Sequence, residues 1–487
     1  MSQKSTKKIL VLGATGYIGR QLIPCLLKKN HRVIAAARNP QQLANEKWAN
    51  HPELTCCPAD LTQPDTLAPH LKEVWQVFYL VHGMMAGKEF LNYELQLAHN
   101  FVRILKASPV TKVIYLGALQ PDHTESPHLL ARKATGEILR QSGRQIIELR
   151  SGIIIGPGSA AFEVMRDMVY HLPIMTTPKW VRSLSAPIAL PDLLNYLSYF
   201  IDHPVDGCPV YDIGGPEILS YEEQMRQFSE MIHKRLRIIK LPFLTPTLSS
   251  YWLHLITSVP VPVASALVQG LSHDFLPRHS HDISHTIAQK RMSFHDAVQK
   301  TLDEETALLD DNIWQYDTHA VSRWRSGFAY YPKQAGFTLR TEKQAAELWS
   351  TLTQIGGKNG YFYANSLWKL RGWLDRIIGG KGSLCQRPCR KKLQPGDCID
   401  SWKVLSVQEN SRLSLLFGMK APGLGRLELS IKDKGNYRLL DIRAWWHPAG
   451  IRGLLYWLIM LPAHRFIFKG MAKAIHRYSA PHKKARH

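Results

Sequence analysis

The sequence predicts two unlike domains. The first is α/β, a doubly wound parallel sheet with a capping lobe; the second is a smaller α+β unit, an antiparallel sheet closed by a long helix. Three observations carry this. Short apolar runs alternate with helical periodicity through the first part of the chain, a glycine-spaced turn follows the first such run, and the last part changes to consecutive strand-like runs parted by short turns. A chain of 487 residues is also too long for one ordinary core.

Taken in order, Ile9 to Leu12 reads as a buried parallel strand, broken at Gly13 and followed by a helical pattern at Ile18, Leu22, Ile23, Leu26 and Leu27. Gly13, Gly16 and Gly19 fall at G-x-x-G-x-x-G spacing, with Ala14, Thr15 and Tyr17 between them. Gly13 suits the tight turn, Gly16 lets a pyrophosphate approach the backbone, and Gly19 lets helix and strand pack closely. The helix N-terminus supplies N–H groups and the positive end of a dipole, so the stretch reads as a dinucleotide site of the Rossmann type. A second strand, Arg32 to Ala37, ends at Arg38, about twenty residues on, where the ribose is read.

Leu54 to Asp60-Leu61 is a short strand ending in an acid, a helix is expected over 67–73, and Val77 to Val81 is another apolar strand. A helix from Glu89 to Ala107, a strand at Lys112 to Leu116, a helix over 127–142 and a strand at Ile146 to Leu149 continue the alternation, which argues for a parallel sheet covered on both faces. Between about 160 and 310 helices dominate, and the end of the sheet and the capping lobe are placed there. Residues 1–310 are assigned to the first domain, 311–340 to a polar linker and 341–487 to the second domain. In that last part a helix is expected from Ser366 to Ile378, strands at 398–407, 412–420, 425–432 and 437–446, and a long helix over 450–478.

The formal charge is +22, and from Lys369 onward the acids are only Asp375, Asp397, Asp400, Glu409, Glu428, Asp433 and Asp441. Such a surface attracts anionic lipid, nucleic acid or acidic ligands without choosing among them; no nucleic-acid motif accompanies it, so nucleic acid is not the expected partner. The run Leu454 to Leu461 is too short to span a bilayer, but with Arg452, Arg465 and Lys469 around it, it suits a membrane surface; a buried helix is the alternative. Seven cysteines without a framework pattern, and no visible signal peptide, favour a cytoplasmic location, with peripheral contact at the inner membrane as the variant of it. Cys385, Cys389 and Cys398 lack a second knuckle, and His273, His279, His281 and His285 lack ligand spacing, so no metal is expected.

The first domain resembles the short-chain dehydrogenase/reductase superfamily, in particular its atypical, extended and epimerase-like NAD(P)-binding members. The carriers are Gly13 to Gly19, Asp60-Leu61, Val77 to Val81 and Gly152-Ile-Ile-Ile-Gly-Pro157. The resemblance places Thr15, Tyr17 and Ile18 in the glycine turn at the cofactor, Asp60 and Leu61 near the adenine, and residues from Val81 along the cofactor. Arg38 would meet the 2′-phosphate of NADP, since guanidinium pairs with phosphate in bidentate fashion; NAD is the other coenzyme, and a solvated strand-end charge the other reading of Arg38. Active members carry Tyr-x-x-x-Lys and a Ser or Thr, whereas here His128 and Arg132 occupy the Tyr and Lys places and Gly117 that of the hydroxyl. Arg132 is still able to hold a ribose or phosphate. Reading Lys133 as the lysine does not restore the set, because Leu129 is no acid. The absence argues against ordinary dehydrogenase catalysis.

Over about 350–475 the chain resembles a bacterial domain of unassigned function, through Leu367-Trp-Lys-Leu-Arg-Gly372, Gly379-Gly-Lys-Gly382, Met419-Lys-Ala-Pro-Gly423 and Gly450-Ile-Arg-Gly453. Its element order is similar to the helix-grip fold of lipid-transfer and polyketide-cyclase domains. That likeness implies Trp402, Trp445 and Trp446 around a cavity for a hydrophobic small molecule, a lipid or quinone; ordinary core is the alternative. Two functions follow: an NADP-binding oxidoreductase-like protein with a second apolar site, or a non-catalytic NADP(H)-binding sensor or assembly factor.

Overall fold

The computed structural model describes residues 8–44, 46–83, 89–121, 126–172, 174–177, 179–240, 255–270, 273–309, 323–325, 327–380, 387–388 and 392–479. The chain divides into two compact units, Met1–Asp311 and Asn312–His487.

In the first unit, β1 (Lys8–Leu12), β2 (Arg32–Ala37), β3 (Leu54–Pro58), β4 (Val74–Tyr79), β5 (Lys112–Ala118), β6 (Gln145–Ser151) and β7 (Val210–Ile213) form one sheet in the order β7-β6-β5-β4-β1-β2-β3. All six pairings are parallel. The order reverses between β1 and β4, the switch point at which such sheets open a ligand crevice beyond their strand ends. Alternation along β1 supplies both faces. Ile9 and Val11 pack with Leu22, Ile23 and Leu26 of α1 (Tyr17–Lys28), while Leu10 and Leu12 pack with Leu97, Ala98 and Phe101 of α2 (Phe90–Lys106). The expected helix over 67–73 is instead two short 3₁₀ turns, Pro64–Thr66 and Ala68–Leu71. Pro69 divides the stretch, because in a continuous α-helix from Pro64 it would lack the N–H for the Asp65 carbonyl and its ring would clash with that carbonyl.

Helix α3 (Pro127–Arg140) precedes β6, and α4 (Ala160–His171) follows it. Helix α5 (Leu190–Asp202) shares the β1–α1 core through Leu193, Leu197 and Phe200, so the chain returns to the sheet there and at β7. The lobe beyond is built from α4, α6 (Tyr221–Met231), α7 (Val261–Gly270) and a two-stranded parallel ladder, Ile174–Thr177 with Arg237–Lys240. Helix α8 (Phe294–Leu309) brings Glu305 to Arg166 of α4, 2.7 Å away, and Arg166 also reaches Glu163 at 3.2 Å, all three buried.

In the second unit, β8 (Lys333–Thr341), α9 (Ala345–Leu352), α10 (Asn365–Ile377), β9 (Cys398–Ile399), β10 (Trp402–Gln408), β11 (Arg412–Phe417), β12 (Gly423–Asp433), β13 (Arg438–Pro448) and α11 (Gly450–Tyr478) follow one another. The sheet is antiparallel throughout, in the order β8-β13-β12-β11-β10-β9. Trp457, Ile467, Phe468, Met471 and Ile475 of α11 bury against Leu427, Leu429, Leu440 and Ile442. Strand β8 corrects the expected linker, because 333–340 belongs to the sheet. It is an edge strand paired only with β13, so little of it is buried and its sequence lacks strong alternation.

Candidate functional site

The β1–α1 turn is made as its glycines require. Gly13 has φ +91°, and a Cβ there would stand 3.0 Å from the Leu80 carbonyl carbon and oxygen at the end of β4. A Cβ on Gly19 would overlap the Gly13 carbonyl oxygen, so helix and turn touch through backbone. Gly16 is the exposed N-cap of α1, and no side chain caps that end. Free N–H groups and the dipole therefore face the crevice at the switch point, as an anionic ligand needs. Thr15, Tyr17 and Ile18 are half-buried around the turn. Arg20, which sequence reasoning missed, ties the turn down: its Nε donates to the Thr15 carbonyl at 3.1 Å, and its guanidinium pairs with Glu46 beyond β2.

Arg38 is exposed at the end of β2 and makes no ion pair among the described residues. Asp60 is half-buried after β3; its Oδ1 accepts from the Thr62 N–H at 2.9 Å and hydroxyl at 2.8 Å, which fixes the turn. Leu61 is core, and its carbonyl accepts from Asn100 Nδ2 at 2.8 Å. Val81 is half-buried, and its carbonyl is spoken for as well, by Arg132.

Arg132 does other work than the expected grip on a ribose or phosphate. It is 6% exposed, and its Nη1 donates to Glu94 Oε1 and to the Val81 carbonyl, each at 3.1 Å, while Nη2 donates to the Leu116 carbonyl. Glu94 is fully buried in α2 and accepts from the Gly83 N–H through Oε2 at 2.9 Å. The pair thus ties the ends of β4 and β5 to α2 and α3. A glutamate four residues before Ala98 and seven before Phe101, on the apolar face of a helix, is a sequence signal of burial, but it does not name the partner. His128 is half-buried on α3; burial first, and then the Arg132 guanidinium, hold its imidazole down at about 4, so it is neutral at pH 7. Its Nδ1 has no hydrogen-bond partner among the described residues.

The second unit has a cavity of about 230 Å³, lined in part by Trp402, Trp445, Trp446, Phe417, Leu427, Trp457 and Phe468. The three tryptophans expected around a cavity are on its wall. Few polar atoms reach it. Trp368 Nε1, Trp445 Nε1 and His464 Nδ1, all from lining residues, are buried without a hydrogen-bond partner among the described residues. Burial holds His464 at about 4, also neutral. An apolar molecule carrying one or two acceptor oxygens would satisfy such a wall.

Among the described residues no group of three or more His, Cys, Asp or Glu is placed to hold a metal. His279 and His285 stack edge to face, with ring centroids 4.7 Å apart. Cys385 and Cys389 lie outside the described residues, and Cys25, Cys56, Cys57 and Cys208 are free thiols. Helix α11 is long and apolar enough to cross a membrane, yet residues buried from Gly453 to Ile475 pack on the sheet.

Residues 13–152 match a family described as NAD(P)H-binding, and residues 329–471 match one described as a protein of unknown function (DUF2867). A nucleoside-diphosphate-sugar epimerase from Staphylococcus aureus is similar in structure, with TM-score 0.50 and 13% identity over 60% of this chain and 100% of that one. Triphenylmethane reductase from a Citrobacter species, complexed with NADP(H), has TM-score 0.50 and 16% identity over 61% of this chain and 100% of that one. At these identities the likeness is one of fold. No curated protein matches in sequence. The chain therefore joins a Rossmann-type unit whose residues 13–152 match NAD(P)H-binding domains to a second unit that matches a family whose function is unassigned.

Proposed function

We propose that the chain is an NADP(H)-binding oxidoreductase-like protein whose second unit holds a hydrophobic small molecule such as a quinone or lipid. Arg38 carries the coenzyme preference: an exposed guanidinium, without an ion pair among the described residues, stands past the glycine turn at the end of β2. An acid there would favour the plain ribose, whereas a guanidinium recognises a 2′-phosphate through paired hydrogen bonds. The glycine turn and the open end of α1 would hold the pyrophosphate, and Asp60 would border the adenine. NADPH, when bound, supplies a hydride. Isothermal titration with NADPH, NADP, NADH and NAD tests the reading: tightest binding of the phosphorylated pair is expected, and no saturable binding of any of the four would end it.

One observation favours a second reading, a non-catalytic NADP(H) sensor or assembly factor. At the family's proton-transfer places stand a neutral imidazole, His128, and a guanidinium, Arg132, already engaged with Glu94. Steady NADPH consumption with a short-tailed benzoquinone, lost in His128→Ala, would decide for turnover.

A further inference from the structure

We propose that the second unit docks on an anionic lipid bilayer through the outward faces of α10 and α11, which flank the mouth of its cavity. The inference builds on the reading of that cavity as a site for an apolar molecule and adds where the molecule comes from. Helix α10 presents its apolar side to solvent. Its one acid, Asp375, faces inward and is fully buried, with Oδ1 accepting from the Lys420 N–H at 2.7 Å. Leu367, Leu370, Trp373, Leu374 and Ile377 face outward instead, Trp373 at 58% and Ile377 at 61% exposure. At about 100° per residue these positions, with Ile378, fill one continuous arc of roughly 140°. On α11, Ile451, Leu455 and Ile459 repeat every four residues and are exposed, Ile459 at 75%. Leu367, Leu370 and Leu374 line the cavity, so the α10 stripe borders it, and Tyr456, Met460 and Ala463 line it from the face of α11 next to that helix's own stripe.

Charge selects the occupant. Lys369 and Arg376 edge the stripe of α10, and Arg452, Arg465 and Lys469 are exposed along α11; none makes an ion pair among the described residues. No Asp or Glu occurs anywhere in α11. A broader hollow shares Arg371, Leu374, Tyr456 and Met460 with the cavity and adds Arg323 and Lys420. Arg323 donates to the Phe417 carbonyl at 2.8 Å and Lys420 Nζ to the Ile378 carbonyl at 3.3 Å, and neither makes an ion pair among the described residues. Apolar side chains ringed by unpaired cations, with the local acid withdrawn into the core, match acyl chains beneath phosphate headgroups. The cavity, at about 230 Å³, exceeds the ~150 Å³ that admits one benzene ring but is too small for a whole lipid. It takes a ring or a short length of chain while the remainder stays in the bilayer.

The test is co-sedimentation of the full chain with vesicles of phosphatidylcholine alone or with about one third phosphatidylglycerol, at low and high salt. Binding to the anionic vesicles, weakened by salt, is expected. Trp373→Asp with Ile459→Asp, one exposed residue from each helix and neither on the cavity wall, should lower partitioning at least tenfold; Lys369→Glu with Arg376→Glu should do the same. Titration of each variant with a short-tailed benzoquinone separates this inference from the reading beneath it: quinone binding kept while vesicle binding is lost supports docking by this face. Should the apolar pair lose quinone binding too, the charge pair decides. The proposal is overturned if the chain ignores anionic vesicles at low salt, or if both variant pairs bind them like the parent. It is overturned equally if removing residues 480–487 alone abolishes binding, or if the parent is a dimer that Trp373→Asp makes monomeric.

Discussion

The glycine-turn end of the first unit and the cavity of the second are built in opposite ways. The first is backbone and charge. A glycine turn brings main-chain N–H groups to the crevice, Arg38 makes no ion pair among the described residues, and the buried Glu94–Arg132 pair ties the strand ends behind it. The second is area and shape, with aromatic walls and a few unpaired donors. The contrast teaches where each site is vulnerable. Charge buried for positioning is costly to unbalance, whereas a cavity built of apolar area tolerates the loss of single polar atoms.

The predictions grade that contrast. Glu94→Ala leaves the Arg132 guanidinium buried and unpaired, so the unfolding transition of the first unit should lose about 3–5 kcal/mol. Calorimetry should find the transition of the second unit unmoved; a shift of both would mean that the two units unfold as one. Arg38→Ala removes charge-assisted bonds to a 2′-phosphate, so NADPH affinity should fall roughly tenfold to hundredfold while NADH affinity holds. Equal loss of both coenzymes would show Arg38 serving the turn and not the phosphate.

In the second unit, Trp368→Phe with Trp445→Phe keeps the aromatic walls but removes two N–H donors. Affinity for a short-tailed benzoquinone should fall by about five- to tenfold, with NADPH binding unchanged. The smallest effect is with pH. His447 and His464 are pushed from 6.5 to about 3 and about 4, burial being the largest cause for each. Below pH 6.5 the unfolded chain takes up these protons and the folded unit does not, so stability is full above 6.5 and is lost as pH falls towards the folded values. The midpoint of the second unit should therefore drop between pH 6.5 and 5, and less so in His464→Phe.

Much of this could be read along the chain. The alternation of Ile9 and Val11 with Leu10 and Leu12 gave the two-faced first strand, the three glycines gave the turn, and the strand runs after Asp397 gave the antiparallel sheet. The misreadings are equally specific. Strand β8 hid in a polar segment because an edge strand buries little, and Arg132 passed as a phosphate ligand because its partner, Glu94, lies on another helix. No local pattern announces a pair that the packing of α2 against α3 creates.

The sequence alone determined what depends on near neighbours: the order of the elements, the sharp turn after the first strand, and the arginine that follows the second. Only the tertiary structure decided what depends on distant partners. It turned the leucines and tryptophan of α10 outward and its aspartate inward, because the Lys420 amide waits on the inner side. Periodicity reveals that a helix has an apolar stripe, but what lies across from it decides whether that stripe is core or surface.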